Sequence, residues 1–318
     1  MGSRILVVRF GALGDLVLLT VLLRGIRRRL PEAVLGVVTK GPYTSLLRTH
    51  PAVNRLHALP PGGKLSDLAA VIRGESYDVL LDAHGNLRSR MLRALVPGSW
   101  SVLKKHRVSR FLATWSAVPA SPPHLVDRYM ALGSTIGVTA DDQPADVYAD
   151  DADTVAARNL APDDYVVLAP GAQHWTKRWP PDRWADLAGL IRRQGYQVVG
   201  LGLSHEAPLL PPNVAVSAFG HPLGVGIALC ERARAVVAHD SGLMHVATAV
   251  RTPVVAIYGP TAPNLGYAPY RAEARLVSNE LPCRPCSVYG GDRCPAGHHR
   301  CMTSLTAEDV LRALSHYL

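Results

Sequence analysis

Apolar residues occur along the chain in short runs, separated by longer stretches in which they recur with helical spacing. Short runs bounded by turn residues predict buried strands, and the longer stretches predict amphipathic helices. In the first half, strands are predicted at residues 5–10, 35–39, 54–59, 79–82 and 101–104, and helices at residues 16–30, 64–73 and 87–95. This alternation is typical of a parallel sheet with helices on both faces.

The same alternation begins again after residues 141–154, an acidic stretch with few bulky aliphatics that we interpret as a linker. Beyond it, strands are predicted at residues 165–172, 197–202, 235–240 and 252–260, and helices at residues 184–194 and 307–318. A length of 318 residues suits two domains. The sequence therefore predicts an α/β protein with two doubly wound, Rossmann-like domains, residues 1–150 and 151–318, and a ligand site in the cleft between them.

The composition is that of a soluble globular protein, with 48% hydrophobic and 19% charged residues. No apolar run approaches the roughly 18 residues that a membrane-spanning helix needs. The first apolar run is interrupted by Asp15, and no cleavage site for a secretion signal follows it. We therefore expect a cytoplasmic location.

Positive charge is concentrated in the first half, where residues 1–150 carry 19 Lys and Arg against 11 Asp and Glu. This asymmetry, which includes Arg88 and Arg90, predicts a nucleic acid, a membrane surface or a phosphorylated substrate as partner. A run of charges is also typical of a solvated face. Nucleic acid is disfavoured because aromatic residues are 6% of the chain and are not interleaved with the basic ones.

The stretch FGALGDLVLL places Asp15 just after the glycine turn of Gly11 and Gly14, between a predicted strand and a predicted helix. A carboxylate there either caps the helix or is held for chemistry at the strand end, where open α/β sheets bind ligands. The turn lacks the third glycine of a dinucleotide fingerprint and the Lys-Ser/Thr of a phosphate loop. We interpret it as a glycine turn whose N–H groups suit an anion.

The stretch AVVAHDSGLMHVATA ends a buried strand at Asp240, and Ser241 and Gly242 then open a helix. The N–H groups of such a turn can hold a diphosphate, and Asp240 can either accept a hydrogen bond from a sugar hydroxyl or cap the helix. His245, in the same helix, is either a core histidine or a ligand contact.

The loop PGAQHWTKRWPPDRW leaves another strand end and brings cations next to a glycine turn. Lys177 is the candidate for neutralising a phosphate. We interpret Trp179, Pro180 and Trp184 as structural residues that fix the following helix.

Four cysteines lie close together as Cys283-x2-Cys286-x7-Cys294-x6-Cys301. In a cytoplasmic chain this density favours a structural zinc or iron site over disulfides, with His298 or His299 as a substitute ligand. The alternative is a set of reduced thiols packed against the last helix. Cys230 is interpreted as a plain buried thiol.

Four segments together resemble family 9 of the glycosyltransferases, the lipopolysaccharide heptosyltransferases. They are FGALGDLVLLTVLLRGIRR, PGAQHWTKRWPPDRWADLA, HDSGLMHVATAVRTPVVAIYGPT and the tail CRPCSVYGGDRCPAGHHRCMTSLTAEDVLRAL, which is most similar to the heptosyltransferase II branch. The resemblance implies a GT-B fold, with two Rossmann-like domains facing across a cleft. It also implies transfer of heptose from ADP-heptose to the lipopolysaccharide inner core, with inversion at the anomeric carbon.

The resemblance also implies roles for particular residues. The family's glycine-loop aspartate, the general base, falls on Asp15. The donor-binding positions fall on Thr176, Lys177, Glu206, Asp240, Ser241, Gly242, Leu243 and His245, with serine in place of the usual threonine at 241 and only a loose match around Glu206.

The basic first half, with Arg88 and Arg90 as candidate contacts, would then face a phosphorylated lipid A–Kdo or heptose acceptor at the inner membrane surface. The resemblance implies that the chemistry itself needs no metal. Two alternatives stay open: a related transferase that uses another nucleotide sugar or heptosylates a protein or other acceptor, and a nucleotide-sugar-binding protein without transferase activity.

Overall fold

The computed structural model describes residues 2–114, 121–161, 163–210 and 215–318. It divides into two compact units: unit 1 comprises Met1–Lys105 and Leu125–Tyr148, and unit 2 comprises His106–His124 and Ala149–Leu318. Residues 106–124, which the sequence assigned to the first domain, thus belong to unit 2. Their contacts explain why, since the Arg110 guanidinium lies 4.9 Å from the ring centroid of Tyr267 and 4.7 Å from that of Tyr289.

Unit 1 is built on a five-stranded sheet in the order β3-β2-β1-β4-β5, with every neighbouring pair parallel. Its strands are β1 (Arg4–Val8), β2 (Val34–Lys40), β3 (Arg55–Leu59), β4 (Val79–Asp82) and β5 (Trp100–Val102). The helices of this unit are α1 (Leu13–Arg29), α2 (Thr44–Arg48), α3 (Leu65–Gly74), α4 (Leu87–Leu95) and α6 (Leu125–Gly133), whereas α5 (Arg107–Leu112) belongs to unit 2.

Unit 2 is built on a six-stranded sheet in the order β11-β10-β9-β6-β7-β8, again parallel throughout. Its strands are β6 (Tyr165–Ala169), β7 (Gln197–Gly202), β8 (Val216–Phe219), β9 (Ala235–His239), β10 (Val254–Ile257) and β11 (Ala274–Val277). Besides α5, the helices of this unit are α7 (Asp151–Leu160), α8 (Pro181–Arg193), α9 (Leu223–Arg232), α10 (Gly242–Ala249), α11 (Arg300–Thr303) and α12 (Ala307–Leu314).

The predicted linker at residues 141–154 contains the point where the chain passes from unit 1 to unit 2, between Tyr148 and Ala149, but both of its halves are structured. Its first half is docked on unit 1, because the Arg24 guanidinium pairs with Asp141 through two hydrogen bonds of 2.8 Å and also with Asp146. Its second half opens α7, where the Asp150 side chain accepts from the Asp153 N–H at 2.8 Å. Acidic residues favour the start of a helix, so an acidic run can resemble a linker in sequence and still be structured.

The predicted alternation into two parallel-sheet units is confirmed, and the strand orders show where ligands are expected. The order reverses beside β1 and β4 in unit 1, and beside β6 and β9 in unit 2. Open α/β sheets bind ligands at the carboxyl ends of the strands that flank such a reversal. None of the helices within the described ranges is long and apolar enough to cross a membrane.

Candidate functional site

The glycine loop of unit 1 joins the carboxyl end of β1 to α1. Gly11 has a φ of 150°, which favours glycine, and a Cβ at this position would lie 3.0 Å from the Tyr43 ring. Gly14, predicted as a second loop residue, is instead buried in α1, which begins at Leu13 rather than at residue 16. The loop therefore depends on Gly11, and Asp15 lies in the first turn of the helix.

The Asp15 carboxylate has two partners, and both bind the same oxygen. Its Oδ2 pairs with the Arg9 guanidinium and accepts a hydrogen bond of 3.3 Å from the Ala12 N–H at the helix start. Within the described ranges Oδ1 accepts no hydrogen bond, and the side chain is 21% exposed. Capping and chemistry are therefore compatible, because one oxygen fixes the carboxylate and the other is open to a ligand.

Arg9 is a candidate residue that no pattern in the sequence indicates. It donates from Nε to the Gly11 carbonyl and from Nη1 to the Ala83 carbonyl, both at 2.7 Å, in addition to pairing with Asp15. It thereby links the glycine loop, the end of β4 and the carboxylate. The Ala83 carbonyl is 74 positions away along the chain and reaches Arg9 because β1 and β4 are neighbours in the sheet.

His84 follows β4 and also lies beside this loop. The Phe10 N–H donates to its Nδ1 at 3.0 Å. Burial, followed by the charge of Arg9, lowers the pKa of His84 to about 3, so its ring is neutral at physiological pH. Tyr43 lies on the other side of the loop, where burial and then the Asp15 charge raise its pKa. Asp15 therefore pairs with the Arg9 cation and lies near two neutral polar rings, those of His84 and Tyr43.

Of the two candidate acceptor arginines, the structure places one at a cavity of unit 1. This cavity of about 840 Å³ lies at the carboxyl ends of the strands, and its lining includes Lys40, Leu59, Asn86, Leu87, Arg88 and Met91. The Arg88 guanidinium also lies 5.8 Å from the Phe10 ring centroid. Arg90 is exposed on the same helix but does not line the cavity.

In unit 2, the structure brings together Lys177 and Asp240, which are 63 positions apart. The Lys177 ammonium donates to Asp240 Oδ2 at 2.7 Å and to the Asp240 carbonyl at 2.8 Å. Thr261, which follows β10, donates from its hydroxyl to the same Oδ2 at 2.8 Å. The three residues come from the ends of three neighbouring strands and form a buried polar cluster.

The start of α10 lies directly after Asp240. Ser241 is the N-cap residue and its side chain makes no capping hydrogen bond, so the cap does not compete with an anion for the first N–H groups of the helix. Gly242 and Leu243 form the half-buried first turn, and His245 is 5% exposed within the helix.

Glu206 is buried at the carboxyl ends of β6 and β7. Its Oε2 accepts a hydrogen bond of 2.8 Å from the Leu203 N–H. Gly171 lies close against it, because a Cβ at that position would lie 2.1 Å from Glu206 Oε1 and would displace the carboxylate. The loosely matched glutamate therefore lies at the same sheet edge as the other donor candidates.

The loop that carries Lys177 is held in place by a hydrogen bond to His239, at the end of β9. The Trp179 N–H donates to His239 Nε2 at 2.9 Å, and burial lowers the pKa of this histidine to about 4, so that the ring stays a neutral acceptor. Trp179 and Trp184 are fully buried and meet edge to face at 5.2 Å between ring centroids. Their predicted structural role is confirmed.

The four tail cysteines are unpaired thiols, and burial raises the pKa of Cys301 to about 11. Among these residues and the neighbouring histidines, Cys283 Sγ lies 3.8 Å from His298 Nε2. Across the described residues, no group of three or more His, Cys, Asp or Glu side chains could hold a metal ion. Cys230 is completely buried, as predicted, and burial raises its pKa to about 12.

Comparisons with known proteins point to one family. The profile described as glycosyltransferase family 9 (heptosyltransferase) matches residues 66–210 and 222–293. Lipopolysaccharide heptosyltransferase 2 of Escherichia coli K12 is 28% identical over 346 aligned positions, covering 99% of this chain and 98% of that protein. A family 9 glycosyltransferase structure from Veillonella parvula matches with a TM-score of 0.82 and 22% identity, covering 99% of this chain and 97% of that one. The structure of Escherichia coli ADP-heptose lipopolysaccharide heptosyltransferase II matches with a TM-score of 0.77 and 25% identity, covering 99% of this chain and 98% of that one.

Two parallel-sheet α/β units, matched over their full length to these structures, define a glycosyltransferase of the GT-B class. The chain belongs to glycosyltransferase family 9, the heptosyltransferases. The resemblance drawn from the sequence motifs is thereby confirmed, and with it the enzyme class.

Proposed function

We propose that this enzyme transfers heptose from ADP-heptose to the inner core of lipopolysaccharide, with inversion at the anomeric carbon. The observation that carries the proposal is family membership together with the Lys177–Asp240 cluster at the carboxyl edge of the unit 2 sheet. The Escherichia coli relative named for ADP-heptose and lipopolysaccharide aligns with the chain from end to end. The donor and acceptor follow from that similarity.

Asp15 is the proposed general base. A sugar hydroxyl is too weakly acidic to attack an anomeric carbon at neutral pH unless a positioned group takes its proton as the bond forms. The carboxylate is suited to this step because Arg9 and the Ala12 N–H fix Oδ2 and leave Oδ1 open. The acceptor oxygen then bonds to the anomeric carbon, the bond from that carbon to the diphosphate oxygen breaks, and the proton passes to Asp15.

Unit 2 is proposed to bind the ADP part of the donor. Lys177 and the N–H groups at the start of α10 stabilise the negative charge that develops on the departing diphosphate. Thr176, Ser241, Gly242, Leu243 and His245 are proposed as further donor contacts, and the Glu206 carboxylate is proposed to bind the nucleoside.

The choice of donor is tested by ligand stabilisation. We expect ADP and ADP-heptose to raise the melting temperature of the protein, whereas UDP, NAD and an oligonucleotide leave it unchanged. Equal stabilisation by UDP would favour a transferase with another nucleotide sugar. Binding of ADP-heptose without release of ADP in the presence of any acceptor would favour a non-catalytic binding protein.

For the acceptor, we propose that the basic surface of unit 1 contacts phosphate groups of a lipid A–Kdo or heptosylated acceptor, reached from the cytoplasm at the inner membrane surface. Arg88 is the stronger candidate contact of the two arginines, because it lines the cavity together with Lys40 and Asn86. The apolar lining, which includes Leu87 and Met91, suits the carbon faces of sugar rings.

Removal of both arginines, as Arg88→Gln with Arg90→Gln, is expected to raise the KM for the acceptor several-fold and to leave the affinity for ADP unchanged. Added salt should have the same effect on the wild-type enzyme by screening exposed charges. Steady-state kinetics at two salt concentrations measures both. The matched control is Arg158→Gln with Arg193→Gln, two exposed arginines of unit 2. An acceptor KM that changes with neither mutation nor salt would leave Arg88 and Arg90 as a solvated face.

We also propose that Cys283, Cys286, Cys294 and Cys301 bind a structural zinc or iron ion. As they stand, the side chains do not fit such an ion, because no three donors are gathered around one point in the described residues. The thiols would have to turn towards one another, and no catalytic step depends on the ion.

Elemental analysis of protein purified without chelator or nickel resin is expected to find about one zinc or iron per chain. Cys294→Ser should lose the metal, and Cys230→Ala, outside the cluster, should retain it. Less than about 0.1 zinc plus iron per wild-type chain would reject the site.

A further inference from the structure

The cysteine-rich tail, defined here as Cys283–Cys301, packs directly against both loops that build the Lys177–Asp240 cluster. Its sequence is poor in aliphatic residues and has no regular secondary structure before α11. Its polar groups nevertheless make a dense set of hydrogen bonds to residues near the proposed diphosphate site. This pattern indicates a role at that site beyond its own folding.

The first contact holds the loop that carries Lys177. The Thr176 N–H donates to the Gly291 carbonyl at 3.1 Å, and the Gly291 N–H donates to the Thr176 hydroxyl at 2.8 Å. His299 Nε2 donates to the Thr176 carbonyl at 2.8 Å, and its ring stacks on Trp175 with 4.4 Å between centroids. The residue before Lys177 is therefore bound through its N–H, carbonyl and hydroxyl groups.

The second contact holds the turn after β10. The Arg284 guanidinium donates to the carbonyls of Tyr258 and Thr261 at 3.2 Å each, and also to those of Gly259 and Asn279. The Cys286 N–H adds a hydrogen bond of 3.0 Å to the Pro260 carbonyl. One planar guanidinium thus fixes three carbonyls of the short turn that ends at Thr261.

Thr261 connects the turn that Arg284 binds to Asp240 of the proposed donor site. It is 1% exposed, and its hydroxyl donates at 2.8 Å to Asp240 Oδ2, the oxygen that also accepts from Lys177. The position of this oxygen is therefore set by two donors that are each held by the tail, Lys177 through Thr176 and Thr261 through Arg284.

We infer that the tail is the positioning element of the donor diphosphate site, and that Thr261 and Arg284 are positioning residues that act on the Lys177–Asp240 pair. The inference rests on the proposed role of this pair in binding the donor. Preorganised charged side chains bind a ligand more tightly, because they lose less conformational entropy when the ligand binds. Neither residue needs to contact the sugar or the acceptor.

The test compares Thr261→Val, which removes the hydroxyl at nearly constant shape, with Thr261→Ser, which retains it. We expect Thr261→Val to weaken ADP binding and raise the donor KM by about 10-fold, the size of a lost hydrogen bond to a charged group. Thr261→Ser should restore most of the affinity. The hydrogen bond is also lost from the ligand-free protein, so its melting temperature should fall modestly. The KM for the acceptor should be nearly unchanged, which a general loss of structure would not allow.

Arg284→Lys serves as the second variant, because a single ammonium cannot bind all the carbonyls that the guanidinium binds. It should also weaken ADP binding, whereas Arg293→Ala, an exposed arginine of the same tail, should not. Titration calorimetry with ADP measures all four variants. Wild-type affinity for ADP in both Thr261→Val and Arg284→Lys would overturn the inference. A wild-type protein that does not bind ADP would overturn the proposed donor site itself.

Discussion

Asp15→Asn is expected to lower the turnover number at least about 100-fold, which is the usual contribution of a general base, while ADP binding stays unchanged. The asparagine side chain can still accept the hydrogen bond from the Ala12 N–H, so the helix start is preserved. It cannot take a proton from an acceptor hydroxyl. Steady-state kinetics with saturating donor and acceptor measures the loss.

Asp67→Asn is the matched control, because Asp67 is also an acidic residue in the first turn of a unit 1 helix, and it is exposed there. It should retain full activity. If the Asp15→Asn enzyme is folded, binds ADP and turns over at nearly the wild-type rate, Asp15 is a capping residue only, and the base must be sought elsewhere.

Lys177→Ala is expected to weaken ADP binding by roughly 10- to 100-fold and to slow transfer as well, since hydrogen bonds to charged groups contribute about 1.5–3 kcal/mol. The loss has two causes. The bound diphosphate and the leaving group lose a cation, and the Asp240 carboxylate, now without its ion-pair partner, repels the donor phosphates. Calorimetry gives the change in affinity, and single-turnover kinetics gives the change in rate.

Lys177→Met separates charge from packing, because methionine keeps an aliphatic stem. The aliphatic stem of Lys177 packs closely against Gly290, since a Cβ added to that glycine would lie 3.2 Å from Lys177 Cγ. We expect methionine to be nearly as damaging as alanine, and Arg193→Ala on the exposed surface of α8 to have no effect. An unchanged affinity for ADP in Lys177→Met would remove the phosphate contact from the account.

The sequence predicts the parts of the site that depend on a single strand, turn and helix. Asp240 ends a predicted strand, Asp15 and Lys177 lie in the turns shortly after two others, and ligands of open α/β sheets bind at such strand ends. Helix starts were harder to predict, because an acidic first turn such as that of α7 resembles a solvated linker. The glycine of a turn was also misplaced, since Gly14 lies inside α1.

The residues that support the site depend on strand order, which one sequence does not reveal. Arg9 and His84 meet only because β1 and β4 are neighbours in the sheet. Thr261 reaches Asp240 only because β10 lies beside β9. The cysteine spacing indicates that the tail has a special role. The hydrogen bonds of Arg284, however, are made to backbone carbonyls, and such bonds leave no pattern in the sequence.

The central claim is inverting transfer of heptose to a lipopolysaccharide inner-core acceptor. The most direct test incubates the enzyme with ADP-heptose and defined lipid A–Kdo acceptors, with and without a first heptose, and analyses the products by mass spectrometry and NMR. The account predicts one added heptose for each ADP released, with an anomeric configuration opposite to that of the donor. Free heptose alone, retained configuration, or transfer only to acceptors other than the inner core would contradict it.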